Sequence, residues 1–211
     1  MSPSENFRRH FAPCPIVAII RGVRPDEVEA IGDALYEAGI RIIEVPLNSP
    51  DPLDSIRRLS SRLDDWALVG AGTVLSVDQV AAVREAGGRL IVSPNTSPDV
   101  VRATAAAGLV SCPGFFTPSE AIAAIDAGAT ALKFFPAEAG SPAVIRAQRT
   151  VLPRDIPILA VGGVDAASIA GWLRAGADGV GISSSLYRPG QSADETLARA
   201  TALVAAVRAC A

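Results

Sequence analysis

Histidine and lysine are almost missing from this sequence of 211 residues: each occurs once, as His10 and Lys133. With a single imidazole near the N-terminus, the chain by itself cannot build a histidine-rich metal site, and no metal is expected. The three cysteines, Cys14, Cys112 and Cys210, are odd in number, widely spaced and free of any Cys-x-x-Cys pair. A disulfide framework is therefore not expected, and Cys112, in an apolar segment, reads as a small buried thiol. No apolar run reaches the roughly 18 residues that cross a bilayer, and the polar start Met1–Arg9 lacks the apolar core of a signal peptide. A cytoplasmic protein with no membrane partner is the expectation. Positive charge is scarce as well: 19 Lys and Arg against 22 Asp and Glu leave a net charge of −3. Such a chain has no broad field for a nucleic acid, so any anion it binds must be held locally. No segment carries the Gly-x-Gly-x-x-Gly fingerprint of a dinucleotide site, which disfavours a doubly wound open sheet and leaves no cofactor to expect.

What is present is a globular balance, 49% apolar and 19% charged, in a strongly periodic chain. Short apolar runs alternate with Ala-rich amphipathic stretches, the pattern of parallel strands covered by helices. Eight strands are predicted, near Ile16–Ile20, Ile42–Val45, Leu68–Ala71, Leu90–Ser93, Val110–Cys112, Ala131–Phe134, Ile158–Val161 and Gly179–Ile182. The helices between and after them are predicted near Pro25–Ala38, Pro52–Arg62, Val77–Ala86, Pro98–Ala107, Pro118–Ala127, Pro142–Val151, Ala166–Ala175 and Asp194–Arg208. An Ala-Gly pair recurs at Gly39, Gly87, Gly108, Gly128 and Gly176, where glycine relieves a left-handed helix cap. The spacing gives one βα unit every 20 to 24 residues. Eight such units make an α/β protein of one domain over residues 1–211, a (β/α)8 barrel preceded by a short helix near Glu5–Phe11.

In such a barrel the reactive groups come from the C-terminal ends of the strands. Those ends carry Arg21, Glu44, Thr73, Asn95, Lys133, the Gly162-Gly163 pair and Ser183-Ser184-Ser185. Of the 19 basic residues all but Lys133 are arginine. An amine can lose its proton and attack a carbonyl, whereas a guanidinium cannot form an imine. Flanking apolar Leu132, Phe134 and Phe135 are expected to desolvate the amine and favour its neutral, nucleophilic form, so Lys133 is the expected nucleophile. Glu44 interrupts an apolar strand and is expected to face Lys133 across the barrel mouth, because imine chemistry needs a proton shuttle beside the lysine; the competing role is a structural ion pair with Arg21. Gly162-Gly163 and Ser183-Ser184 close strands 7 and 8, where barrels build phosphate sites from backbone N–H groups, with a short helix near Ser185–Tyr187 completing the cradle. Arg21 and Thr73 remain to hold a second anionic group such as an α-keto carboxylate.

The segments PIVAIIRG, EVPLNSP, VGAGTVL, LIVSPN, CPGFFTPSEA, GATALKFFPAEA, LAVGGV and SLYRPGQS run nearly the whole length. In order and spacing the chain resembles the 2-keto-3-deoxy-6-phospho-aldonate aldolases, the class I aldolases of sugar-acid breakdown. The resemblance implies a homotrimeric barrel whose partner is a small phosphorylated keto-deoxy sugar acid, cleaved to pyruvate and D-glyceraldehyde 3-phosphate. It places the Schiff base on Lys133, the acid/base on Glu44 and substrate contacts on Arg21, Thr73, Gly163 and a serine, Ser183 or Ser184. The gluconate branch typically has arginine where this chain has Asn48, so EVPLNSP and LYRPGQS resemble the galactonate branch; gluconate or 4-hydroxy-2-oxoglutarate cleavage is the nearest alternative. A metal-dependent aldolase and a non-catalytic sugar-phosphate binding barrel are the remaining rivals.

Overall fold

The computed structural model describes residues 1–210. Nine parallel strand segments alternate with helices and form one sheet in the order β5-β4-β3-β2-β1-β9-β8-β7-β6. They are β1 (Ile16–Ile19), β2 (Ile42–Pro46), β3 (Leu68–Gly72), β4 (Leu90–Val92), β5 (Val110–Cys112), β6 (Gly114–Phe115), β7 (Leu132–Phe134), β8 (Ile158–Val161) and β9 (Gly179–Ile182). The sheet order opens and ends on β5 and β6, which are consecutive in the chain, so the barrel closes through Pro113. The sequence predicts only the first of these two segments, Val110–Cys112. Proline has no N–H for the ladder, which splits the strand: β5 pairs back to β4, and β6 pairs on to β7. Pro113 still serves as an acceptor, since the Lys133 N–H donates to its carbonyl at 2.9 Å.

The helices are α1 (Pro3–Phe11), α2 (Val28–Ala38), α3 (Pro52–Leu63), α4 (Val77–Glu85), α5 (Pro98–Ala106), α6 (Pro118–Asp126), α7 (Pro142–Gln148), α8 (Ile169–Arg174) and α9 (Ala193–Arg208). Ser2, Ser76 and Thr117 begin α1, α4 and α6 with reciprocal capping boxes, satisfying amides that the first turn leaves free. Gly39, Gly87, Gly108, Gly128 and Gly176 all adopt φ between 72° and 109°, as the Ala-Gly repeat requires. Two helices begin later than the proline and alanine signals imply: residues 25–27 and 166–168 are turns leading into α2 and α8.

Strand alternation sorts the core into two shells. Ile16, Ala18, Ile43, Val45, Val69, Leu132, Phe134, Ile158 and Val180 face the helices. Val17, Ile19, Ile42, Leu68, Leu90, Val110, Cys112, Leu159 and Val161 fill the barrel interior, where Phe7 and Phe11 of α1 join them. The α1 helix thus plugs the N-terminal end: Phe11 lies where a side chain on Gly179, the first residue of β9, would otherwise sit. Behind β7, Phe134 stacks on Phe116 at 5.2 Å and packs against Phe115 and Trp172. That aromatic cluster fixes the strand carrying Lys133, each buried ring contributing about 2–3 kcal/mol.

Candidate active site

Because residues two apart share a face of a strand, Glu44 follows Ile42 into the barrel and Lys133 follows Ala131. Their strands, β2 and β7, are four steps apart around the sheet in either direction once β5 and β6 count as one. Glu44 (1% exposed) and Lys133 (6%) are both buried. They line one small cavity of about 10 Å³ with Cys112, Phe7, Val17 and Leu159. That space holds no more than one water, so a substrate must reach both groups from the open, C-terminal end. At that end the Phe135 ring lies beneath the amine, its centroid 4.9 Å from Nζ.

The Glu44 carboxylate is short of partners. Among the described residues its Oε2 is buried without a hydrogen bond, and no cation comes within the 4.0 Å of an ion pair. The structural pair with Arg21 does not form. Burial raises the Glu44 pKa above the ordinary carboxylate range, with Lys133 and then Arg21 pulling the other way. A carboxyl group shifted in this direction holds its proton more firmly than an ordinary carboxylic acid, which suits a group that must take up and return one. The same burial pushes the Cys112 thiol up to about 12, so it is an inert filler of the barrel.

Sequence reasoning missed one residue that shapes this carboxylate. A Cβ on Gly72, at the end of β3, would overlap Glu44 Oε2 and come within 3.0 Å of Oε1. Glycine there leaves the room that the carboxylate occupies. The signal, a glycine in GAGT, is indistinguishable in sequence from a turn glycine, because its neighbour belongs to another strand.

The remaining predicted residues ring the mouth. Arg21 is exposed beyond β1, and its guanidinium donates to Asn48 Oδ1. The adjoining Gly22 N–H donates to Ser49 Oγ at 2.9 Å, tying the loop after β1 to the loop after β2. Thr73 has φ 58°, a left-handed conformation that a β-branched residue adopts at a cost of roughly 1–3 kcal/mol. Asn95 is exposed after β4. Gly162 and Gly163 have φ of 108° and 65°, open only to glycine at low strain. They follow β8, next to β9, which Ser183 follows. The expected helix at Ser185–Tyr187 is instead a single hydrogen-bonded turn in which the N–H groups of Leu186 and Tyr187 both donate to Ser183 O, at 2.8 and 2.9 Å. Pro189, packed against Gly22, stops the turn from extending. Among the described residues the N–H groups of Gly162, Gly163, Ser184 and Ser185 donate to no other protein group. Adjacent strand ends thus offer unspent donors, as an anion cradle needs.

An interior lysine, an orphaned carboxyl opposite it and free amides at one rim form an arrangement suited to a phosphorylated carbonyl compound. The family model for KDPG and KHG aldolases matches residues 8–203. The chain belongs to the KDPG and KHG aldolase family. This aldolase is 49% identical over 192 residues to the probable 2-dehydro-3-deoxy-6-phosphogalactonate aldolase of Rhizobium meliloti (strain 1021), covering 91% of each chain. It is 46% identical over 194 residues to the 2-dehydro-3-deoxy-6-phosphogalactonate aldolase of Escherichia coli (strain K12), covering 92% of this chain and 95% of that one. A solved structure described as native KDPGal superposes on the aldolase with a TM-score of 0.91 at 45% identity, covering 93% and 95% of the two chains. As an aldolase the protein is a carbon–carbon lyase of a family that works through Schiff bases.

Proposed function

We propose that this aldolase cleaves 2-dehydro-3-deoxy-6-phospho-D-galactonate to pyruvate and D-glyceraldehyde 3-phosphate through an imine on Lys133. The observation that carries the reading is the chain's lone lysine, turned into the barrel and sharing a cavity with a buried, unpartnered Glu44. Neutral Lys133 attacks the C2 ketone, and Glu44 donates the proton with which water leaves. The protonated imine then draws in the electron pair of the C3–C4 bond while the C4 hydroxyl proton passes to Glu44, directly or through a water. Glyceraldehyde 3-phosphate departs. Protonation of the enamine and hydrolysis release pyruvate and restore the amine.

The amides of Gly162, Gly163 and Ser184, with the Ser183 and Ser184 hydroxyls, receive the phosphate, while Arg21 and Thr73 receive the carboxylate. The galactonate configuration is supported by the names of the two relatives above and by the Arg21–Asn48 bond, which holds the guanidinium at the mouth. The enzyme acts as one domain, in the cytoplasm, as the homotrimer its family resemblance implies.

Reduction of a protein–pyruvate mixture with borohydride, followed by peptide mass mapping, tests the imine: one adduct is expected, on the peptide containing Lys133. An adduct elsewhere, or full activity in Lys133→Arg, overturns the mechanism. Comparing cleavage of the galactonate and gluconate epimers tests the substrate; a large preference for the gluconate compound overturns that assignment alone. Sedimentation equilibrium at assay concentrations tests the trimer.

A further inference from the structure

The 3-10 turn at Ala137–Ala139, which follows β7, lies against the glycine pair that follows β8. A Cβ on Gly162 would sit 3.2 Å from the Ala137 amide nitrogen, and one on Gly163 would sit 2.8 Å from both Cβ and Oε2 of Glu138. The Glu138 carboxylate therefore stands over Gly163, beside amide donors that no other group among the described residues uses. Among the described residues this carboxylate has no ion-pair partner. An uncompensated negative charge at the rim of an anion cradle opposes the ligand that the cradle attracts. Packing does not require the charge, since a neutral side chain of equal size covers Gly163 as well.

We propose that Glu138 is a specificity-determining residue that keeps the phosphate end of the site loose. This rests on the phosphate cradle assigned above. By repelling the phosphate, Glu138 prevents free phosphate and simple phosphate esters from occupying the site, so that a ligand is retained only when Lys133 also holds it covalently. After the C3–C4 bond breaks, the phosphorylated aldehyde is left with the cradle alone, and the same repulsion hastens its release.

Inorganic phosphate is the probe. Its inhibition constant against cleavage is measured for the parent, Glu138→Gln and Glu138→Ala, with melting temperature and borohydride trapping of pyruvate reporting on fold and on the Lys133 end. Removing a charge of −1 that faces a dianion roughly 6 Å away in a water-like medium tightens phosphate binding about tenfold. Both variants are expected to show that drop, with KM for the phosphorylated keto acid falling while kcat does not rise. If phosphate inhibits the parent and neither variant shifts the constant, the role of Glu138 is overturned while the cradle stands. Tightening by alanine alone would trace the effect to space rather than charge and overturns it too. If phosphate at high concentration inhibits neither the parent nor the two Glu138 variants, the cradle assignment itself falls, and this role with it.

Discussion

Adding one methyl group at Gly72 tests whether the Glu44 carboxylate does its work from the place where it is seen. Gly72 has no left-handed φ, so its backbone tolerates alanine, and the whole effect of Gly72→Ala comes from the new Cβ. That carbon overlaps Glu44 Oε2. Restoring an ordinary contact of about 3.5 Å pushes the carboxylate back by more than ~1 Å. A positioned acid or base contributes roughly 10²–10⁴ in rate, and a displacement of about 1 Å costs on the order of 10². The expected result is a hundredfold fall in kcat, about 2.7 kcal/mol. Overpacking adds a stability cost of about 1–3 kcal/mol, or a melting temperature lower by roughly 2–10 °C, which leaves the protein folded at 20 °C. Pyruvate release coupled to NADH oxidation measures kcat, and calorimetry the stability. Gly171→Ala is the control: it lies in α8, where a Cβ meets only Pro142 Cγ at 3.9 Å. It should keep full activity and gain about 0.4–1 kcal/mol. If folded Gly72→Ala keeps more than a third of the parent kcat, either Glu44 is not the proton shuttle or its position does not matter.

Glu44→Gln should abolish cleavage and change how stability depends on pH. Because burial raises the Glu44 pKa in the folded protein, the unfolded chain gives up this proton first as pH rises past about 4.3. The parent therefore loses stability between that pH and the elevated folded value, and glutamine does not. Urea midpoints at pH 4, 5.5 and 7 should show the variant gaining on the parent as pH rises; a constant or shrinking gap refutes the burial argument. Thiol chemistry gives a separate check on the barrel interior. Cys14 and Cys112 are buried and Cys210 is exposed, so a disulfide reagent at pH 8 should titrate one thiol in the native protein and three in denaturant. Fast reaction at Cys112 would mean an open barrel.

The βα repeat was legible because its units carry local marks: an apolar run for the strand, in most a proline or hydroxyl to start the helix, and in five a glycine to end it. Lys133 and Glu44 were legible for a different reason. Each breaks a local rule, one as the lone amine among arginines and the other as a charge inside an apolar strand. The break at Pro113 was visible as a residue yet not as an event, since a proline matters to a ladder only when the partner strand is known. The turn at Ser183–Tyr187 misled for a related reason: its local sequence permits a helix, and the packing of Pro189 on Gly22 ends it after one turn.

Local composition by itself determined the order of elements and singled out the two groups proposed to carry imine chemistry, because those depend on periodicity and on the intrinsic reactivity of side chains. Only the closed barrel decided that Glu44 would lack a partner, that Gly72 would make room for it, and that Glu138 would stand over Gly163. Each of those facts is a contact between neighbouring strands or their loops, far apart in the chain, and such distances acquire values only once the sheet has curled round and met itself.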